Sequence, residues 1–316
     1  MKPLVLTLAL AFAVAVPALP ALGAEAGAVP ANRFAASITP AERFEVGVLA
    51  VERHGSGGVP MILVPGLASG AWAWQDFVRR DKGEHTIYVV TLPGFDGRAA
   101  VTGPVLGQAR AALRQLIVTR ALSRPVIVGH SVGAALAIAL AETDSALLRA
   151  VVAIDGLPVM PGSEQTPPAM RGPMAAAIKA RMGGAGLEPA AFAASQRQYM
   201  RGMGVLDLPM ADELAKLSAR SDPRAVLDTM GEVLEQDLRA GLPKIGVPVL
   251  LIAPFFEADA VQRGLTREMV KDYYTSLMAG TPTLTVTTIA PARHFVMFDQ
   301  PAELAQTIGQ FIAPLR

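Results

Sequence analysis

Six short apolar runs, each separated from the next by a helical pattern or a turn, constrain the possible folds of this chain more than any other feature. They are MILV at 61–64, TIYVV at 86–90, VIV at 126–128, AVVAI at 150–154, VPVLLIA at 247–253 and LTVTTI at 284–289. Each is rich in β-branched residues and apolar without alternation, the pattern of strands buried on both faces of a parallel sheet. An earlier segment, 44–52 (FEVGVLAVE), alternates apolar and polar residues and predicts one half-exposed antiparallel strand. Helical periodicity fills 71–80, 106–122, 132–141, 266–278 and 301–312. Strands alternating with helices in this way predict an α/β fold with a doubly wound, mostly parallel sheet.

One interval breaks the rhythm. Between 156 and 244 there is no strand pattern, only Pro and Gly punctuation and helical segments at 174–181, 190–200, 210–219 and 222–238. It reads as a helical cap inserted at about 156–244 into a single domain spanning 43–316, with 25–42 as an N-terminal extension. Eight of the 13 methionines fall in the insertion. Flexible thioethers there either line an apolar pocket or fill the cap's own core, and both readings stay open. Arg171, Arg181, Arg197, Arg201, Arg220, Arg224 and Arg239, interspersed with Asp212, Glu213, Asp222 and Asp228, read as a solvated helical surface.

The N-terminus belongs to a different class of segment. Lys2, an apolar run through Val16 and the small-residue stretch PALPALGAEAGA form the three parts of a secretory signal peptide over 1–24, with cleavage near residues 23–26. Pro17 and Pro20 interrupt the run, and no Cys follows it to carry a lipid, so no stable membrane anchor is expected after cleavage. The chain has a formal net charge of +1 with 17% charged residues, and losing Lys2 balances the two signs. No basic field is available for a nucleic-acid backbone. With no cysteine, disulfides, thiolate metal sites and thiol catalysis are all excluded. Export without disulfides points to a periplasmic or secreted protein whose stability rests on its core.

Chemistry enters at PVIVGHSVGAALAIAL, 125–140. A buried strand runs into Gly129-His130-Ser131-Val132-Gly133 and directly into an alanine-rich helix. A serine on such a sharp turn projects its Oγ above the sheet, and Gly129 and Gly133 remove the side chains that would collide there. The helix behind it aims free N–H groups and the positive end of its dipole at the same place.

Strand, G-x-S-x-G turn and helix together resemble the α/β-hydrolase superfamily, and the similarity extends from about Phe44 to the C-terminus. The resemblance implies an α/β-hydrolase fold with Ser131 as nucleophile. It also implies an oxyanion hole from the main-chain N–H groups of Leu67, in MILVPGLASG, and Val132; Pro65 stands where the family commonly has His. Asp96 and Arg98, in the similar loop TLPGFDGR, are expected to be structural.

A serine hydroxyl needs a base. Of the four histidines, His54 lies in a polar turn, His85 opens a strand and His130 is locked beside the serine, facing away from it. His294 remains, in IAPARHFVMFDQPAEL, just beyond the last strand where the family places its catalytic base. The acid that should orient it is Asp155, at the end of AVVAIDGLP, where some family members including haloalkane dehalogenases keep theirs. Glu257 and Asp259, after the next strand where most members carry the acid, are rivals. The implied function is hydrolysis of a small-molecule ester of apolar character through an acyl-enzyme, with no metal or organic cofactor. A lactonase or perhydrolase-like activity, a lyase reaction and a non-catalytic binding scaffold stay open as alternatives.

Overall fold

The computed structural model describes residues 32–315; the signal segment expected over 1–24 lies outside them. In chain order the elements are β1 (Glu42–Val46), β2 (Leu49–His54), β3 (Met61–Val64), α1 (Gln75–Asp81), β4 (Ile87–Thr91), α2 (Val105–Thr119), β5 (Val126–His130), α3 (Val132–Asp144) and β6 (Ala150–Ile154). Then come α4 (Pro168–Met182), α5 (Pro189–Tyr199), α6 (Leu208–Ser218), α7 (Pro223–Glu235), β7 (Val249–Pro254), α8 (Glu257–Val261), α9 (Arg267–Leu277), β8 (Leu284–Ile289), α10 (Val296–Asp299) and α11 (Pro301–Ile312). The eight strands form one sheet in the order β1-β2-β4-β3-β5-β6-β7-β8. β2 pairs antiparallel with both its neighbours, β1 and β4, and β3 through β8 pair in parallel.

The expected single strand at 44–52 is instead a hairpin. Val46 pairs with Leu49, and Gly47, at φ +54, makes the two-residue turn that folds β2 back on β1. His54, expected in a polar turn, is the buried last residue of β2, and His85 lies two residues ahead of β4, buried, with Nδ1 3.2 Å from the Val59 carbonyl. The helix expected over 71–80 divides into a 3-10 turn, Ala71–Trp74, and α1. The short helices α8 and α10 have no counterpart in the periodicity. β8 has the residues of a central strand, yet as the sheet's edge it is half exposed.

Every residue of β3, β4, β5 and β6 is buried. Successive side chains alternate between two cores. Ile62, Val90, Ile127, Val151 and Leu251 face Leu113, Leu116 and Leu136 of α2 and α3. Leu63, Val89, Val128, Val152 and Ile252 face Phe77 of α1, Met297 of α10 and Leu304 and Ile308 of α11. Each such side chain contributes roughly 1.5–3 kcal/mol when fully buried, so the double layer anchors the sheet whose rim carries the site. α3 is buried along Val132–Ala141, which is why its sequence is nearly all Ala, Leu, Ile and Val.

Between β6 and β7 the chain is helical, apart from an isolated bridge between Val159 and Asp237. Asp207 and Asp222 cap α6 and α7 with their carboxylates, each followed within two residues by a proline that starts the helix. This segment is pinned to the loops at the sheet's rim: Ser218 Oγ donates to the Ala68 carbonyl at 2.9 Å, and the Asp222 N–H donates to the Gly94 carbonyl at 2.7 Å. The arginines there are not all solvated. Arg171 is 4% exposed and donates to the Ser163 carbonyl and to Asp237 Oδ2, because the loop before α4 folds over it. Arg197 and Arg201 do lie at the surface, both paired with Asp212. At the other end of the chain, residues 32–38 dock on the domain: Gln75 Oε1 accepts the N–H groups of Ser37 and Ile38, both at 3.0 Å.

Candidate active site

Ser131 follows β5 directly and has φ 54, ψ −120, a left-handed conformation that a non-glycine residue adopts only when its surroundings impose it. The surroundings are glycine contacts. A Cβ on Gly129 would lie 2.2 Å from the Gly133 carbonyl oxygen, and one on Gly133 would lie 2.3 Å from that of Val64. The Ser131 N–H donates to the Ile154 carbonyl at 2.9 Å, so the turn is stitched to the end of β6. The hydrogen-bonding of α3 starts with Ala134 and Ala135, which both donate to the Ser131 carbonyl. Val132 and Gly133 therefore present N–H groups with no intrahelical acceptor.

Asp155 occupies the equivalent position past β6. It too is left-handed, at φ 43, and its N–H donates to the Ile252 carbonyl at 2.9 Å. Because β5 and β6 pair in parallel with His130 opposite Ile154, Ser131 and Asp155 leave the sheet side by side. Gly156 is required next: a Cβ there would lie 2.3 Å from the Ser131 carbonyl oxygen.

His294 reaches the same place from the loop between β8 and α10. Its Nδ1 lies 2.5 Å from Asp155 Oδ2. The hydroxyl of Tyr274, on α9, donates to the other carboxylate oxygen, Oδ1. Burial opposes the charge of Asp155, but the charge of His294, its hydrogen bond and that of Tyr274 outweigh burial and hold the carboxyl below its ordinary value. An imidazole that donates Nδ1–H to a carboxylate leaves Nε2 free to accept a proton.

The rival acids lie elsewhere. Asp259 is held by the guanidinium of Arg293, Nε at 2.8 Å and Nη2 at 3.0 Å. Glu257 is exposed at the start of α8. Leu67 follows β3 and Gly66, half-buried, in a loop pulled tight by Ser69, whose N–H donates to the Gly66 carbonyl and whose Oγ donates to the Leu67 carbonyl. A Cβ on Gly66 would lie 3.2 Å from Ser131 Cβ, so this loop sits directly against the serine. Asp96 abuts the same loop at Gly70, is left-handed at φ 50, and is pushed up to about 6 by burial. Arg98 bonds the Val48 and Thr91 carbonyls.

The sequence did not indicate Tyr274, Tyr199 or Arg293 as neighbours of this centre, and it placed His130 beside the serine without its contact to His294. Tyr274 sits on an amphipathic helix with no motif. His130 packs its ring 4.5 Å from that of His294. Tyr199, at the end of α5, lies edge-on to His294 at 6.1 Å between ring centroids, and burial raises its hydroxyl above the ordinary range. Arg293 also donates to the Arg201 carbonyl at 2.9 Å, while the N–H groups of His294 and Phe295 donate to the carbonyls of Met203 and Gly204. The helical segment is thus bonded to the loop that carries His294. Its contact residues lie in a π-helical turn, Met200–Gly204, of the kind frequent at functional sites. A separate groove of about 820 Å³, lined by Arg33, Arg197, Asp212 and Lys216 among others, includes none of Ser131, Asp155 and His294.

The alpha/beta hydrolase family model matches residues 61–307. Among solved structures, a thermophilic esterase from Thermogutta terrifontis superposes with a TM-score of 0.68 at 20% identity, covering 87% of this chain and 99% of that one. An enol-lactonase from Burkholderia xenovorans LB400 superposes with a TM-score of 0.65 at 18% identity, covering 86% and 100%. A structure from a study of carboxylesterases of Nitrososphaera gargenis gives 0.65 at 15% identity, covering 84% and 95%. At these identities the likeness is one of fold. Among curated proteins, none matches the chain.

Proposed function

This chain belongs to the alpha/beta hydrolase family, and we propose that it is an exported serine hydrolase that cleaves carboxylic esters of apolar small molecules. The observation that carries this reading is the hydrogen bond from His294 Nδ1 to Asp155 Oδ2, formed beside a serine held left-handed at the N-terminus of α3.

In the proposed reaction His294 Nε2 takes the proton of Ser131 as Oγ attacks the ester carbonyl. Asp155 holds the imidazole in the Nδ1–H tautomer and stabilises its protonated form. The N–H groups of Val132 and Leu67 receive the oxyanion, the first helped by the dipole of α3. His294 then protonates the departing alcohol, and water repeats the sequence on the acyl-enzyme. The helical segment at about 156–244 acts as the cap over this centre. Its pinning at Ala68, Gly94 and His294 supports that assignment. Export rests on the sequence of residues 1–24.

The test is labelling by a fluorophosphonate together with turnover of p-nitrophenyl esters and lactones of increasing chain length. Labelling of the wild type that is lost in Ser131→Ala, with turnover favouring apolar acyl groups, is expected. An unlabelled wild type, or equal labelling of Ser131→Ala, sinks the assignment. Mass analysis of the exported chain, expected to begin near residues 24–27, tests the signal.

A further inference from the structure

We infer that Tyr274 is a positioning residue for the proposed hydrolysis: its hydroxyl fixes the carboxylate of Asp155, and through it the imidazole of His294. The inference deepens the triad reading and rests on it.

Asp155 directly follows β6 and its N–H is bonded to the Ile252 carbonyl, so its backbone is set by the sheet, but a carboxylate can still rotate about the Cβ–Cγ bond. One hydrogen bond, to His294 Nδ1, does not fix that rotation, because either oxygen can accept it. The second bond, from Tyr274 to Oδ1, leaves Oδ2 as the only oxygen free to face the imidazole. Both bonds are made by a charged acceptor in a half-buried site, where they are stronger than neutral ones.

The origin of Tyr274 is informative. Most members of the superfamily are expected to supply their acid from the turn after the strand that is β7 here. In this chain that turn reads Phe255-Phe256, Glu257 is exposed, and Asp259 is engaged by Arg293. The second helix after that turn, α9, supplies a phenol, and the acid comes from the end of the neighbouring strand. The phenol is held there by its ring, which packs against the core side formed by α2 and α3. The adjacent Tyr273 fixes the same turn of helix: its hydroxyl donates to Glu164 Oε1 and accepts the Gly162 N–H.

The titratable groups around Asp155 are His294 from the loop before α10, Tyr274 from α9, Tyr199 from α5 and His130 from β5. Of these, His294 and Tyr274 bond the carboxylate. Removing the phenol leaves the carboxylate charge less well satisfied. The His294–Asp155 pair then holds its proton more tightly, and the base-ready form appears at higher pH. Tyr274 bonds the acid and not the substrate, so substrate binding is spared.

The experiment compares wild type, Tyr274→Phe, Tyr273→Phe and Ser131→Ala in the full exported chain. It measures p-nitrophenyl ester kinetics across the acid limb of the pH profile, fluorophosphonate labelling and thermal unfolding. Phe keeps the ring in the core and removes only the hydroxyl. Tyr274→Phe is expected to lower kcat about tenfold, as for a lost hydrogen bond to a charged group, with KM unchanged and the acid-side midpoint moved to higher pH. Tyr273→Phe is expected to keep the wild-type midpoint. Wild-type kcat in Tyr274→Phe overturns the inference, as does a fall in thermal stability with an unmoved midpoint, or an equal midpoint shift in Tyr273→Phe. An unlabelled, inactive wild type overturns the hydrolase reading itself, an outcome distinct from an active enzyme indifferent to Tyr274.

Discussion

The ring Nε2 of His130 lies 2.9 Å from the main-chain carbonyl of His294. A carbonyl only accepts, so this nitrogen carries the proton, and Nδ1 is left bare, buried and without a partner among the described residues. Burial pushes the imidazole down to about 3, which keeps it neutral. His130 is therefore an uncharged strut between the turn that holds Ser131 and the loop that holds His294.

Gly66 closes the far side of that strut, and Gly66→Ala tests it. The new Cβ would meet His130 Nδ1 at 2.8 Å and Ser131 Cβ at 3.2 Å. The ring and the serine must both shift, and if Ser131 is the nucleophile as proposed, its displacement by a fraction of an ångström costs rate steeply. Ester turnover is expected to fall at least about tenfold while the chain stays folded at room temperature; wild-type kcat would refute the contact.

If the proposed triad operates, Asp155→Asn removes the charge opposite His294 and lets the imidazole take the wrong tautomer, for which a loss of roughly 10³–10⁴ in kcat is expected by analogy with the Ser-His-Asp triad of serine proteases. Glu257→Gln, at an exposed position, is expected to keep wild-type kinetics. Steady-state turnover of one ester by both variants decides the acid; an active Asp155→Asn excludes it.

Asp259→Asn should act differently from Asp155→Asn. Asp259 holds the guanidinium of Arg293, which ties the loop before α10 to the helical segment at Arg201. Breaking a half-buried pair of this kind costs about 1–2 kcal/mol. A drop in melting temperature with kcat within severalfold of wild type is expected. Collapse of kcat at unchanged stability would instead place Asp259 in the reaction.

Asp96→Asn should stabilise the protein at neutral pH and not in acid. Burial raises the Asp96 carboxyl to about 6 in the folded chain, above its unfolded value near 3.8. Between these values the folded state binds more protons than the unfolded one, so stability falls as pH rises through the window, by up to about 3 kcal/mol. Asn tolerates the left-handed backbone of this position. Denaturant unfolding at pH values below and above the window checks it; an equal effect of the substitution at both refutes it.

How much of this was legible in the chain follows from the range of each signal. The interior strands were readable because two-sided burial demands unbroken apolar residues, and β8 coincides with its run at both ends. The hairpin of β1 and β2 was not, because alternation survives a two-residue turn when Gly47 permits it. The buried state of Arg171 was hidden as well. Its partner Asp237 lies 66 residues away, across a fold-back that periodicity does not record.

The serine turn was determined by sequence alone, since Gly129, Ser131 and Gly133 act over a few bonds and the strand and helix beside them are local. So was the expectation of His294 over three other histidines, from its place after the last strand in a chain that resembles this family. The partner of His294 was not: Asp155, Glu257 and Asp259 all follow sheet strands in the chain order that the family allows. Only the tertiary structure brought Asp155 to the imidazole, gave Asp259 to Arg293, left Glu257 in solvent and carried Tyr274 to the carboxylate. Hydrogen bonds between side chains 119 and 139 residues apart depend on how β6, α9 and the loop after β8 pack, and no local pattern encodes that packing.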